Sequence, residues 1–429
     1  MALEVARASG LEGRRVMFIS YNGMLDPLGQ TQVLPYLRAL AKRGVRFTLL
    51  SFERARAFEV EGVAQCEQLR RELQGQGIEW HWLRYHQRPS VPATIYDVLA
   101  GIRKAGSLVQ RNKIELVHAR AHIPGTIALA LKKRFGTKMI FDLRGLMAEE
   151  YVDAEHWRKD SLPYRLTKST ERQILGATDA IVTLTERIWP IIREWDGLRG
   201  RTPHHEVIPC CVDLVRFRFD EEAREQRRTE LGLTDQFTIV YSGSLDGWYL
   251  TEKMADFFAS LAQRNPRSHL LWLTTGKHER VKELMKGRNL GLDHYSVLSV
   301  AAADVPSYLA AADAGLAFIK RCVSKLASSP TKNGEYLACG LPIIINTGIG
   351  DSDALVDQWR AGVLINDFTE DQYTLAGDSV EAMAAAPGAR DKARRVAEQL
   401  FDLERVGGER YASLYQRVLV GSQPGANPG

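Results

Sequence analysis

The sequence predicts an α/β protein of two domains, each a doubly wound parallel sheet covered by helices on both faces. Three observations carry that expectation. The chain has 429 residues, beyond the roughly 250 to 300 at which one hydrophobic core stops growing. Short apolar runs bounded by turn residues alternate along it with amphipathic stretches, the pattern of parallel strands joined by crossover helices. These runs fall into two series, separated by the highly charged segment RFRFDEEAREQRRTELGL (216–233), which suits an exposed connection between domains.

The first series is RVMFIS (15–20), RFTLLS (46–51), IEWHWL (78–83), ELVHA (115–119), KMIFDL (138–143), AIVTLT (180–185) and EVIP (206–209). After its first member a glycine-containing loop enters a helix with Val33, Leu34, Leu37, Leu40 and Ala41 on one face. The second series is FTIVYSG (237–243), HLLWLTTG (269–276), YSVLSV (295–300), AGLAFI (314–319), LPIIIN (341–346) and AGVLI (361–365). The boundary is placed near residue 212, giving domains 1–212 and 213–400. A segment at 401–420 follows, then the tail GSQPGANPG (421–429), which is expected to be disordered. Sheets of this kind bind ligands at the carboxyl ends of their strands, and two such domains facing each other would enclose a cleft.

Composition excludes several classes. With 45% hydrophobic and 25% charged residues the chain is unlike a disordered one. Five cysteines, two adjacent at Cys210 and Cys211, make neither a disulfide framework nor a zinc ribbon, so a reducing, cytoplasmic compartment fits. The opening MALEVARASGLEGRR lacks the apolar core of a signal peptide, and no run approaches the roughly 18 to 20 apolar residues that span a bilayer. Residues 1–206 hold 32 Lys and Arg against 23 Asp and Glu, whereas the remainder holds 25 against 29. A basic first half suggests an anionic partner there, a lipid diphosphate or an anionic membrane surface, with a solvated surface that is merely Arg-rich as the alternative. Nucleic acid is not expected, because the basic residues are spread along the chain instead of forming a stripe interleaved with aromatics.

The motifs lie where the sheets would present them. Gly29 precedes the first helix, where a glycine lets backbone approach a phosphate; the spacing is not GxGxxG, and a plain strand-to-helix turn is the alternative. In SSPTKNGEYLACGLPIIIN (328–346) Pro330 is placed to open a helix carrying Thr331, Lys332, Glu335 and Tyr336, with Gly340 past its end. Lys332 would add charge for a diphosphate, and Glu335 could accept from the two hydroxyls of a ribose, with a merely solvated helix carboxylate as the alternative. NTGIGDSDALV (346–356) is a second glycine-rich turn, with Gly348 and Gly350 allowing close approach and Asp351 expected to cap the helix. Trp248 and Tyr249 either line a pocket or pack in the core. In the first half, HARAHIPG (118–125) and FDLRGLMAEEY (141–151) both follow strands. Arg144 is always charged and can hold a phosphate or an acceptor, and His118 and His122 are candidate proton-transfer groups, with packing roles as the alternative.

At these residues the sequence resembles the family 4 retaining glycosyltransferases of the GT-B fold, particularly a bacterial polysaccharide-type branch with the motif P-x-K-x-x-E-Y-L-A-x-G-x-P. The resemblance extends through LGQTQVLPYLRALAKRG, AIVTLTERI, VIPCCVDLVRF and YSGSL to FDLERVGGERYASLYQRVL (401–419), and implies that 401–420 is a helix crossing back to the first domain. It implies two facing Rossmann-like domains, an acceptor in the first and a nucleoside diphosphate sugar in the second. The donor-binding set is then Glu335, Lys332, Thr331, Gly243, Ser244, Gly29, Gln30 and Gly350, the catalytic candidates are Arg144, His122 and His118, and no metal ligand or cofactor is expected beyond the nucleotide sugar as co-substrate, UDP-sugar favoured.

Three positions depart from the family pattern. Ala327 stands where many relatives have the first of two glutamates separated by seven residues. YSGSLDGWYLTEK offers Ser244 where they place an Arg and a Lys, leaving Lys332, Lys325, Lys320 and Arg321 to neutralise a diphosphate. Arg144-Gly145 replaces a His-Gly pair. The implied activity is transfer of a hexose-type unit, with retention and without metal, to a hydroxyl acceptor such as a lipid-linked saccharide in cell-surface polysaccharide or glycoconjugate synthesis, at the cytoplasmic face of the membrane. An epimerase of the same fold and a non-catalytic nucleotide-sugar-binding relative are the alternatives.

Overall fold

The computed structural model describes residues 10–421; the rest of the 421–429 tail, and the disorder expected of it, lies outside those residues. The chain divides into two compact units. The first runs to Pro209 and resumes at Leu403; the second is Cys210–Asp402. The division therefore falls before Cys210 and after Asp402, close to but not at the boundaries placed after 212 and 400.

The first unit holds seven parallel strands, β1 (Arg15–Ser20), β2 (Arg46–Glu53), β3 (Ile78–Arg84), β4 (Leu116–Arg120), β5 (Lys138–Leu143), β6 (Ala180–Thr183) and β7 (His204–Val207). Their order is β3-β2-β1-β4-β5-β6-β7. The order reverses between β1 and β4, the point where such sheets bind ligands. Register brings Ser20, the last residue of β1, level with Arg120, the last of β4, so the loops after these two strands start side by side.

The second unit holds β8 (Phe237–Ser242), β9 (Ser268–Leu273), β10 (Tyr295–Leu298), β11 (Ala314–Ala317), β12 (Ile343–Asn346) and β13 (Gly362–Ile365), in the order β10-β9-β8-β11-β12-β13. Alternate side chains feed two cores, as the period of two in a strand requires. Ile239, Tyr241 and Trp272 pack with Phe257, Phe258 and Phe318 on one face; Val240, Leu271 and Leu273 pack with Tyr336, Leu337 and Phe401 on the other. A sheet covered on both faces accounts for the near-continuous apolar runs.

Two expectations about local structure change. The helix after β1 is two helices, Pro27–Gln32 and Leu34–Ala41, broken at Val33, because Pro35 in the first turn of the second has no N–H to continue the first. Segment 216–233 is not a loose connection. Asp220 caps a helix, Glu221–Leu231, by accepting from Ala223 N, and its arginines clamp the end of the helix Val305–Ala311. Arg224 donates to the carbonyls of Ala310, Ala311 and Ala312 and pairs with Asp313 at 2.7 Å. These are the orphan carbonyls that every helix end leaves.

The C-terminal helix Glu409–Val420 belongs to the first unit and buries Tyr411, Leu414, Tyr415 and Val418. No helix among the described residues is long and apolar enough to cross a membrane.

Candidate functional site

In the second unit the chain leaves β8 through Gly243, whose N–H donates to the Leu273 carbonyl at 2.9 Å. Backbone conformation favours glycine here, and a side chain would crowd the lysine below. Its φ is +147°, and a Cβ would lie 2.8 Å from Lys332 Nζ. Lys332 sits in the first turn of the helix Thr331–Ala338, with Pro330 at its N-cap. Its side chain is 6% exposed, and its ammonium stands 3.6 Å from the ring centre of Tyr249 and 4.3 Å from that of Tyr241. It has no hydrogen-bond partner among the described residues. Burial pushes this amine down to about 7, against an upward pull from Glu335. Glu335, one turn further on and half-buried, has its carboxyl pushed up by burial, with Lys332 and Arg216 opposing.

Thr331 is half-buried at the first helical position, and Ser244 is exposed, its carbonyl accepting from the Tyr241 hydroxyl. Tyr336 lies under the loop: its hydroxyl accepts from Ser242 N at 2.9 Å.

A second pair of segments closes on the same edge. Asn346, at the end of β12, accepts from Ile319 N at 2.7 Å and donates to the Ile319 carbonyl at 3.0 Å, stapling the loop after β11. Gly350 N donates to the Lys325 carbonyl at 2.9 Å, while the Lys325 ammonium stands 3.8 Å from the Trp248 ring centre. Gly348 has φ +87° and leaves room for Arg321, whose Nε would be 3.2 Å from a Cβ there. Asp351 stands at the N-cap of Ser352–Asp357 but makes no capping bond to it. Asp353 holds the loop instead, accepting from Gly348 N at 2.9 Å and from the Thr347 hydroxyl at 3.0 Å. The second unit thus carries Lys332 and Glu335 in the first turns of one helix, with Lys325 and Arg321 in the segment before it, and holds six of the eight expected donor residues, all but Gly29 and Gln30.

The first unit places its candidates differently. Gly29 is buried inside the helix Pro27–Gln32, not before it. A Cβ there would be 2.2 Å from the Gly23 carbonyl, so this glycine is required by close packing of the loop on its own helix. The Gln30 amide donates to the Met24 carbonyl at 2.7 Å. Buried Glu53 braces the same loop, accepting from Met24 N and Ser51 Oγ, both at 2.6 Å.

His118 lies in the core, its Nδ1 2.6 Å from the Tyr415 hydroxyl and its ring 4.5 Å from that of Phe18. Burial holds this imidazole down, with Asp142 pulling the other way. Asp142 accepts from the Tyr411 hydroxyl at 2.9 Å. Burial raises its carboxyl, but Arg144, His118 and Arg120 outweigh that and leave it at about 2. Arg144 faces it at 3.6 Å and is almost wholly buried. His122 begins the helix His122–Phe135 and meets Glu171 at 2.9 Å, and Lys168 bonds the other oxygen of that carboxylate. The residue before it, Ala121, has φ 71° and ψ −176°, a region that is essentially glycine's.

One arrangement carries no signal in the sequence. Buried Asp97 accepts from the Tyr21 hydroxyl at 2.8 Å and lies 2.6 Å from His86 Nδ1. The pair joins the end of β3 to the middle of a helix, and no motif spacing links them. Among the described residues no group of three His, Cys, Asp or Glu side chains could hold a metal ion.

Residues 29–216 match the family described as Glycosyltransferase Family 4. Among solved structures the chain is similar to sucrose-phosphate synthase from Thermosynechococcus elongatus, with a TM-score of 0.69 and 16% identity over 95% of this chain and 100% of that one. It is also similar to Anabaena HepE in complex with UDP and glucose, with a TM-score of 0.67 and 14% identity over 93% and 98%. WaaG, a glycosyltransferase involved in lipopolysaccharide biosynthesis, gives 0.64 and 15% over 95% and 100%. No curated protein matches the chain. The two parallel-sheet units are those of GT-B glycosyltransferase structures, and the family match lies almost wholly in the first of them.

Proposed function

We propose that this chain is a retaining, metal-independent glycosyltransferase that moves a sugar from a nucleoside diphosphate donor to a hydroxyl acceptor. The observation that carries the reading is Lys332, a buried ammonium without a hydrogen-bond partner, in the first turn of the helix that also presents Glu335. A charge so placed costs stability unless an anion joins it, and a helix start favours the same anion. Its four-carbon stem lets the ammonium reach a diphosphate beside Gly243, supplying the charge that relatives take from the missing Arg and Lys. Glu335 then serves the ribose. UDP is favoured by the UDP held in the similar Anabaena structure.

Transfer needs the charge on the departing diphosphate stabilised and the acceptor oxygen held close to the anomeric carbon. Lys332, Lys325 and the N–H groups of the glycine turns serve the first need without a metal. The basic balance of residues 1–206 favours an acceptor bearing phosphate, as a lipid-linked saccharide does. We place the work in cell-surface polysaccharide or glycoconjugate synthesis, at the cytoplasmic face of a membrane.

The test is thermal stability against UDP, GDP, ADP, CMP and TDP and their sugars, since a ligand of the folded state raises the melting temperature. One nucleotide gives a shift that Glu335→Ala abolishes; no shift with any would sink the donor site. Turnover of the matching sugar nucleotide is expected to survive EDTA, and product released without any acceptor would favour an epimerase instead.

A further inference from the structure

Exposed apolar side chains are unevenly shared between the two units. Among the described residues, thirteen large hydrophobic residues are exposed in the first unit and four in the second. They concentrate on the helix Ser90–Asn112, which leaves the carboxyl end of β3. Val91, Ile95 and Leu99 are 53%, 55% and 62% exposed, and Tyr96 beside them is 60% exposed. Spacing of four residues puts the first three on one helix face, and Arg103 continues the row.

Core packing does not account for this stripe, because the same helix buries its opposite face, through Ala93, Asp97, Gly101, Ala105 and Leu108. The exposed charges on this stretch of chain have one sign. Between residues 84 and 104 the chain carries Arg84, Arg88, Arg103 and Lys104 and a single acidic residue, Asp97. That carboxylate is buried and occupied by Tyr21 and His86, so the exposed charges of residues 84–104 are basic. Arg84 lies over the exposed ring of Phe58, extending the same pairing of cation and apolar group.

We propose that this face of the helix Ser90–Asn112 docks on an anionic lipid bilayer, with Val91, Ile95, Tyr96 and Leu99 entering the acyl boundary and the arginines meeting the head groups. An in-plane helix with an apolar face and basic flanks is what such an interface binds, and each Lys or Arg adds to attraction for an anionic leaflet. The inference rests on the membrane-facing part of the reading above and gives that attachment a place on the fold.

Co-sedimentation of the full chain with phosphatidylcholine vesicles, with and without phosphatidylglycerol, tests it. The chain pellets with the anionic vesicles and little with the neutral ones, and raised salt weakens the binding. Ile95→Asp with Leu99→Asp lowers the partition by at least about tenfold, and Arg103→Ala by about fivefold. All three side chains are exposed, so melting temperature is expected to hold; should the double variant fail to fold, Arg103→Ala decides alone. Equal binding of wild type and variants, or none by wild type at low salt, overturns the proposal. So does a wild-type dimer, seen by light scattering, that the double variant converts to monomer, since a second copy is then the occupant. UDP stabilisation of the same variants is read in parallel: its loss in wild type and variants alike would sink the donor site and leave the membrane face standing.

Discussion

Lys332 exchanges water for two phenol rings, and the consequence is a pH dependence whose sign differs with and without ligand. The amine is held at about 7 against an ordinary 10.5, so between those values the unfolded chain carries more protons than the folded one. Stability of the ligand-free protein therefore rises with pH across that window. A bound diphosphate pulls the amine back up. Nucleotide binding at pH 8 is expected to take up a proton, and affinity to fall above pH 7 by at most about tenfold per unit. Calorimetric titration of UDP at pH 8 in two buffers of different ionisation enthalpy measures the uptake, and identical heats would remove Lys332 from the phosphate site. Lys332→Met should stabilise the free protein by about 1 kcal/mol while weakening UDP, an opposition that a purely structural lysine would not produce. Ala121 offers a second residue-scale check. Its backbone costs on the order of 1–3 kcal/mol, so Ala121→Gly is expected to raise stability by about 1 kcal/mol in urea unfolding; a loss would show that the conformation is not strained. The motif spacing foretold Lys332 and Glu335 in the first turns of one helix. It did not foretell Tyr241 and Tyr249 around the ammonium, because that enclosure is made by a different strand and its loop.

At the scale of elements, most of the strands were legible because a doubly covered sheet needs long apolar runs, and the structure places them within a few residues of the expected spans. Misreadings came where polar side chains do structural work. The Arg-rich helix Glu221–Leu231 buries none of its residues and is held by hydrogen bonds to carbonyls, which leave no hydrophobic period to read. Gly29 matched the expectation for a phosphate-binding glycine, yet its missing side chain makes room for the Gly23 carbonyl. Gly315 on β11 shows how an element positions the loop that enters Gly243. A Cβ there would be 2.3 Å from the Tyr336 ring, and Tyr336 in turn holds Ser242 N, next to Gly243. Gly315→Ala must push that ring aside, so we expect a loss of about 1–3 kcal/mol in stability together with a weaker UDP shift. Destabilisation with nucleotide affinity unchanged would separate the ring from the loop it supports.

Across the whole molecule, the sequence foretold a C-terminal segment returning to the first unit, but not what it does there. Tyr411 and Tyr415 are buried, and their hydroxyls meet Asp142 and His118, two polar groups in the interior of a sheet formed from residues nearly three hundred positions earlier. Without the helix those groups would lose their partners and the apolar face beneath would meet water. Losing even one large buried aromatic side chain costs about 3–5 kcal/mol, and whole domains are stable by only about 5–15 kcal/mol. Truncation after Asp402 is therefore expected to unfold the first unit. The second unit, with its own cores, keeps its structure. Hydrogen exchange on the truncated chain reads both halves at once: amides of β4 and β5 should exchange rapidly, while β8 and β11 stay protected and remain more so with UDP. Protection retained in β4 and β5 would mean that the sheet of the first unit stands without its returning helix, and that Asp142 and His118 find other partners in the shortened chain.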